Sequence, residues 1–123
     1  MRQRWSVIRA SLDPTAGHEQ AGMRPVLVIS NEAFNRSSGL VTVIPLTTAR
    51  RVPHPWEVLL PAESCGLSAD SLVLPHQMRT IANTRLRSPA YGRISDGALR
   101  RVIAEKLLLH FGLQDLTRLP LEE

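Results

Sequence analysis

Met23-Arg24-Pro25-Val26-Leu27-Val28-Ile29-Ser30 is the stretch on which the fold turns. Val26 to Ile29 is an unbroken aliphatic run between a proline and a serine. So short and uniformly apolar a run suits a strand buried on both faces. Asn31 follows at once and has the side chain to cap a short helical turn through Glu32-Ala33-Phe34. Leu40 to Leu46 is a second β-branched run. Upstream, Trp5 to Leu12 reads as a strand with Trp5 and Val7 on one face and Ile8 and Ala10 on the other. Trp56 to Leu60, Ser71 to Leu74 and Gln77 to Ala82 read as three more, and Pro75 marks a bend between the last two. Trp56 is expected in the core.

The last third changes period. Ser95-Asp96 has the form of a helix N-cap, and Leu99, Val102, Ile103 and Leu107 then recur at helical spacing. Arg100, Arg101, Glu105 and Lys106 fill the opposite face, and Gly112 suits a stop. The expected fold is therefore α+β and mainly β: a single domain over residues 1–123, built as a small barrel or sandwich with a helix over about 95–111 packed on it.

The composition agrees. A chain of 123 residues with 43% hydrophobic and 21% charged content can bury one core and is not globally disordered. No apolar run approaches the ~20 residues that span a bilayer, and no secretory signal is visible, so the expected location is the cytoplasm. Cys65 is the only cysteine, which excludes an internal disulfide. The formal charge is +4, and 14 of the 15 basic residues are arginine. Arginine's planar fork matches phosphate, although GC-rich coding favours arginine as well. The positive charge is concentrated in residues 1–56, with seven Arg against three acids, so a polyanion site is expected there.

Several chemistries lack their motifs. The chain has no Walker A, GxGxxG, GxSxG or HExxH pattern, and His18, His54, His76 and His110 stand far apart. Neither a metal nor a cofactor is expected. One unusual segment remains, Asp13-Pro14-Thr15-Ala16-Gly17-His18-Glu19-Gln20-Ala21-Gly22-Met23-Arg24-Pro25. It is a polar, glycine-bracketed loop that carries Glu19, Gln20 and Arg24 straight into the apolar strand. Thr47-Thr48 ends the next apolar strand. If the two strands are neighbours, Arg24 and Thr47 meet at one end of the sheet; otherwise Arg24 pairs with Glu19 as a strand cap.

The loop and strand resemble the opening signature of the MazF/PemK family of toxin endoribonucleases. The resemblance extends through Val43-Ile44-Pro45-Leu46-Thr47-Thr48, Gly66-Leu67, Asp70-Ser71, Gln77-Met78-Arg79-Thr80-Ile81 and Arg85-Leu86. It departs at Arg4-Trp5-Ser6, where members carry Gly-Asp or Gly-Glu, at His18 and at Ala82. The resemblance implies an SH3-like barrel with a C-terminal helix. It also implies a homodimer that cuts single-stranded RNA without metal and is blocked by a cognate antitoxin with an acidic, partly disordered segment. DNA would be met only through the antitoxin complex.

By the same resemblance Arg24 and Thr47 are catalytic, and Glu19 and Gln20 belong to the loop over the RNA; as the carboxylate nearest in sequence, Glu19 takes the 2′-OH proton, orients Arg24 or holds the loop. Gln20 and Thr48 would contact RNA. The basic Arg50-Arg51 loop, with Pro53-His54-Pro55-Trp56, is a candidate for phosphate contact and base stacking. Arg79 and Arg85 are candidate backbone contacts, with solvated or dimer-interface roles as the alternative. The rival function is a non-catalytic module of the same fold, such as a gyrase-binding toxin or an inactive RNA- or antitoxin-binding relative. The gyrase-binding relatives rely on a C-terminal Trp-Gly-Ile, and this chain has no Trp after Trp56.

Overall fold

The computed structural model describes residues 3–13, 17 and 22–113. Its elements are β1 Ser6–Ser11, β2 Met23–Val28, α1 Glu32–Ser38, β3 Leu40–Thr48, β4 Val58–Leu60, β5 Ser71–Val73, β6 Arg79–Ala82, β7 Leu86–Arg93 and α2 Gly97–His110. Every strand pairing is antiparallel. The strand order is β4-β5-β3-β2-β1-β7, and β6 pairs with the first half of β3.

β2 and β3 lie centrally, and the parity of their side chains explains the aliphatic runs. Leu27, Ile44 and Leu46 join Trp5, Val7, Ile94 and Ile103 in a core under α2. Val26, Val28, Val41 and Val43 point the other way, onto Ile8, Ala10, Leu12, Ile81 and Leu86. A strand that feeds two cores has no solvent face, so its sequence cannot alternate. The same parity puts Trp5 and Val7 in one core and Ile8 and Ala10 in the other.

The expected barrel is not closed by hydrogen bonds. β4 and β7 end the path. β5 is paired on both sides, by β3 and β4, and the three-residue β4 ends the path on that flank. β7 also departs from its ladder, since four residues, Ser88 to Tyr91, stand opposite the one residue Ile8. The two flanks meet through backbone instead. A Cβ on Gly66 would lie 2.1 Å from the Tyr91 carbonyl oxygen, and one on Gly92 would lie 2.6 Å from that of Cys65. Only glycine permits such an approach.

β7 is the strand that pattern reading misses. Arg87 to Tyr91 are all exposed, and Pro89 interrupts the run, so neither alternation nor an apolar block marks it. α1 is longer than the single turn expected: Asn31 caps it by accepting from the Phe34 N–H at 2.8 Å, and Gly39 ends it at φ 73°. α2 is capped by Asp96, which accepts from Ala98 and Leu99, and Gly112 follows it at φ 69°. Ile103 is fully buried, with Leu99 and Leu107 packed beside it, whereas Val102 faces solvent. Arg100 is not on a purely solvated face: its guanidinium lies 5.3 Å from the Trp5 ring centroid and donates to the Ile94 carbonyl.

Candidate active site

The ladder between β2 and β3 pairs Val26 with Pro45 and Leu27 with Ile44. Carried two residues further, the same register sets Arg24 opposite Thr47. Both side chains line one open pocket of about 320 Å³, together with Thr48, the segment Gly66 to Ala69, and Tyr91. Arg24 and Thr47 are half-buried and Thr48 is exposed. β5 holds the threonine end in place, pairing Leu72 with Thr47 and Ser71 with Thr48. Ala49 then donates to the Asp70 carbonyl at 2.9 Å, and the Asp70 carboxylate accepts from Ala62 at 2.9 Å. A fixed positive charge and a hydroxyl donor thus converge on a water-accessible space.

This juxtaposition can be set against known proteins. The family model of the PemK-like, MazF-like toxins of type II toxin-antitoxin systems matches residues 3–111. The chain belongs to the PemK-like, MazF-like toxin family. It is 36% identical over 118 residues to the endoribonuclease MazF9 of Mycobacterium tuberculosis, covering 92% of this chain and 98% of that one. It resembles the crystal structure of MazF from Deinococcus radiodurans with a TM-score of 0.77 at 29% identity, over 90% of this chain and 96% of that one. It resembles a mycobacterial endoribonuclease solved in complex with its cognate antitoxin with a TM-score of 0.73 at 26% identity, over 92% and 97%.

Within this MazF-like chain Arg79, Arg85 and Arg51 have structural partners. Arg79 Nη1 donates to the Leu12 carbonyl at 2.9 Å. Arg85 Nη1 donates to the Ser11 carbonyl at 3.4 Å and also to that of Asp13. On the other side of the same loop, Asp13 Oδ1 accepts from the Gly22 N–H at 3.0 Å, and Leu12 donates to the Gly22 carbonyl at 2.9 Å. Two guanidiniums therefore hold the β1 side of the loop root, and Leu12 and Asp13 tie it to Gly22, two residues before Arg24. Arg79 and Arg85, candidates for RNA contact, each commit Nη1 to these backbone contacts.

Arg51, another candidate for RNA contact, is paired with a carboxylate. Its Nη1 and Nη2 hold both oxygens of the Glu57 carboxylate, at 2.8 and 2.9 Å. The Glu57 side chain is only 2% exposed, and the His54 N–H donates to it as well. The Arg51 hydrogen bonds hold its carboxyl below the usual range, against the opposing effect of burial. Because Glu57 takes the inward position of this turn, Trp56 is rotated out. It is 43% exposed rather than in the core, stacked on His54 at 4.8 Å and edge-on to His76 at 6.2 Å. Arg50 is exposed on the loop after Thr48 and does not line the pocket.

Glu19 and Gln20 lie outside the described residues. Among the described residues no three His, Cys, Asp or Glu side chains gather as metal ligands would, and none of the helices is long and apolar enough to cross a membrane. Cys65 is buried, and burial pushes its thiol up, in keeping with a packing role. Tyr91 is the lining residue that sequence reading does not find, because it stands in the unread strand. Gly66 and Leu67, in contrast, belong to the matched blocks.

Proposed function

We propose that this toxin is an endoribonuclease that cuts single-stranded RNA at the Arg24–Thr47 pocket. RNA carries its own nucleophile, the 2′-OH. Attack on the adjacent phosphorus forms the 2′-O–P bond and breaks the P–O5′ bond, which leaves a 2′,3′-cyclic phosphate and a 5′-OH. The enzyme must align the attack, spread the charge on the phosphorane, remove one proton and return one. Arg24 supplies a permanent, forked cation for the equatorial oxygens. Thr47 donates its hydroxyl to a non-bridging oxygen. Neither role calls for a metal ion. Arginine at its ordinary pKa is no base, so the 2′-OH proton falls to another group. Glu19, five residues before Arg24, acts as that base or orients the guanidinium. Gln20 and Thr48 bear on the RNA strand beside them.

The reading rests on one observation: two neighbouring buried strands, β2 and β3, bring Arg24 and Thr47 to one pocket. The family membership and the endoribonuclease relatives support it. Structural neighbours are solved in complex with a cognate antitoxin or as MazE–MazF. A cognate antitoxin with an acidic segment that folds on binding is accordingly proposed to occupy the same basic pocket. The working form is proposed to be a cytoplasmic homodimer that meets DNA only through the antitoxin complex.

The test is cleavage of a long unstructured RNA in excess chelator, beside Arg24→Ala and Thr47→Ala, with fragment ends read by mass spectrometry. Cyclic-phosphate ends that vanish in both variants are expected. A folded protein that cuts none of several varied RNAs would instead make the chain a binding module.

A further inference from the structure

The Arg24 pocket does not stop at Tyr91. Tyr91, 42% exposed, also lines a second depression of about 220 Å³, together with Arg9, Arg87 and Ser88 to Ala90. One aromatic residue thus borders both. The swelling of β7 opposite Ile8 makes the second depression, and the glycine contact between Gly66 and Tyr91–Gly92 holds that swelling against the first.

The charge of this second depression is unbalanced. Arg9 and Arg87 are directly opposite each other across β1 and β7, and both are exposed. Like charges in that position repel and destabilise a sheet. Among the described residues the ion pairs are Arg36–Glu32 and Arg51–Glu57, so neither arginine is offset by a described carboxylate. Arg87 is oriented by Nη1 contacts to the Thr84 and Leu86 carbonyls, at 2.7 and 3.4 Å. No acid lines the depression; Pro89 and Ala90 supply an uncharged flank. Two forked cations and an exposed aromatic ring suit a phosphate and an unpaired base, which is the repeating unit of a single strand.

We infer that the Arg9–Arg87–Tyr91 depression is a second RNA subsite, which takes the phosphate and base of a nucleotide flanking the one cut at Arg24. The inference rests on the proposal that the chain cleaves single-stranded RNA. The subsite binds by charge and stacking, so it adds affinity for length rather than for sequence.

The probes are random-sequence pools of 2′-O-methyl RNA, four and twelve nucleotides long, which cannot be cut for want of a 2′-OH. Binding of each is measured over a range of salt for the wild type, the Arg9→Gln/Arg87→Gln pair and the Arg9→Lys/Arg87→Lys pair. The glutamine pair is expected to lose about tenfold on the long pool and to change less than twofold on the short one. Its slope of log K against log salt should become shallower by about 0.7 per phosphate lost, the value for single strands. The lysine pair, which keeps the charges, should restore the slope. Equal loss at both lengths, or an unchanged long-pool slope, overturns the subsite. So does a glutamine pair whose mass in sedimentation falls while RNA binding holds, since the face would then join copies of the chain. If the pair melts early, the single variants replace it, each expected to lose about threefold. A wild type that cleaves RNA but binds both pools alike removes only the subsite. One that neither binds nor cleaves RNA removes the nuclease reading with it.

Discussion

Arg24 and Thr47 depend on the register of β2 against β3, because a shift of one residue would turn Arg24 to the opposite face. Their chemistry makes graded predictions. Thr47→Ala should lower kcat about 10²–10³-fold, the usual cost of one preorganised donor to a developing oxyanion. Arg24→Lys should remain far below wild type, because an ammonium keeps the charge and loses the fork; recovery to near wild type in single-turnover cleavage would reduce Arg24 to a point charge. Gly66 makes a different prediction. It has φ 81°, and an added Cβ would meet the Tyr91 carbonyl oxygen at 2.1 Å. Gly66→Ala should cost stability by about 1–3 kcal/mol, as overpacking does, and displace Tyr91. Denaturant unfolding and intrinsic fluorescence check the two effects separately. Trp5 is the strained counterpart, a bulky residue at φ 74°. Its N–H donates to Val28 and its carbonyl accepts from Ile94, and its ring has Arg4 and Arg100 as cationic neighbours. Those contacts offset a backbone cost on the order of 1–3 kcal/mol.

At the scale of elements, the two loops beside the pocket are tied down by arginines whose partners lie in other elements or further along the loop. The β1–β2 loop root is held by Arg79 and Arg85, 67 to 74 residues away in sequence. Arg79→Ala should cost about 1.5–3 kcal/mol, the range for a hydrogen bond from a charged group. Hydrogen exchange at Leu12 and Gly22 should quicken, while the salt slope of RNA binding stays unchanged; a shallower slope would return Arg79 to the RNA contacts. The loop after β3 is held by the Arg51–Glu57 clasp, and its pH dependence has a definite sign. Glu57 titrates lower folded than unfolded. Its contribution is therefore complete above the ordinary carboxylate range and is lost as pH falls through the lower folded value. His76, lowered chiefly by burial, acts in the same direction nearer neutrality. Melting temperatures of Glu57→Gln should decline less steeply on the acid side than those of the wild type. Parallel curves would assign the acid sensitivity elsewhere.

For the molecule as a whole, two cores share the central strands, and α2 covers one of them. Ile103, fully buried from α2, ties the helix to the sheet, and Ile103→Ala should cost about 2–5 kcal/mol by chemical denaturation. Two of the seven arginines of the first half, Arg9 and Arg24, are on adjacent strands and line the two depressions that share Tyr91. An acidic peptide that competes for that region should inhibit both RNA binding and cleavage, more strongly at low salt. Unchanged binding and cleavage in the presence of the peptide would separate the antitoxin site from the RNA site.

The aliphatic runs by themselves determined the two central strands, because a segment with no polar face has nowhere to go but the interior. The capping pattern around Asp96 and the helical spacing to Leu107 likewise determined α2, since both are local. The blocks around Arg24 and Thr47 marked the two residues that the fold brings to one pocket. β7 was not legible: an exposed edge strand with a proline draws its structure from the neighbour it pairs with, not from its own pattern. Nor were the partners of Arg51, Arg79 and Arg85, because a guanidinium reads alike whether it meets a phosphate, a buried carboxylate or a backbone carbonyl. Trp56 was misplaced for a related reason, as hydrophobicity favours burial while the turn that buries Glu57 turns the indole outward. Which polar group an arginine finds is settled by geometry across the fold, and only the tertiary structure decided it.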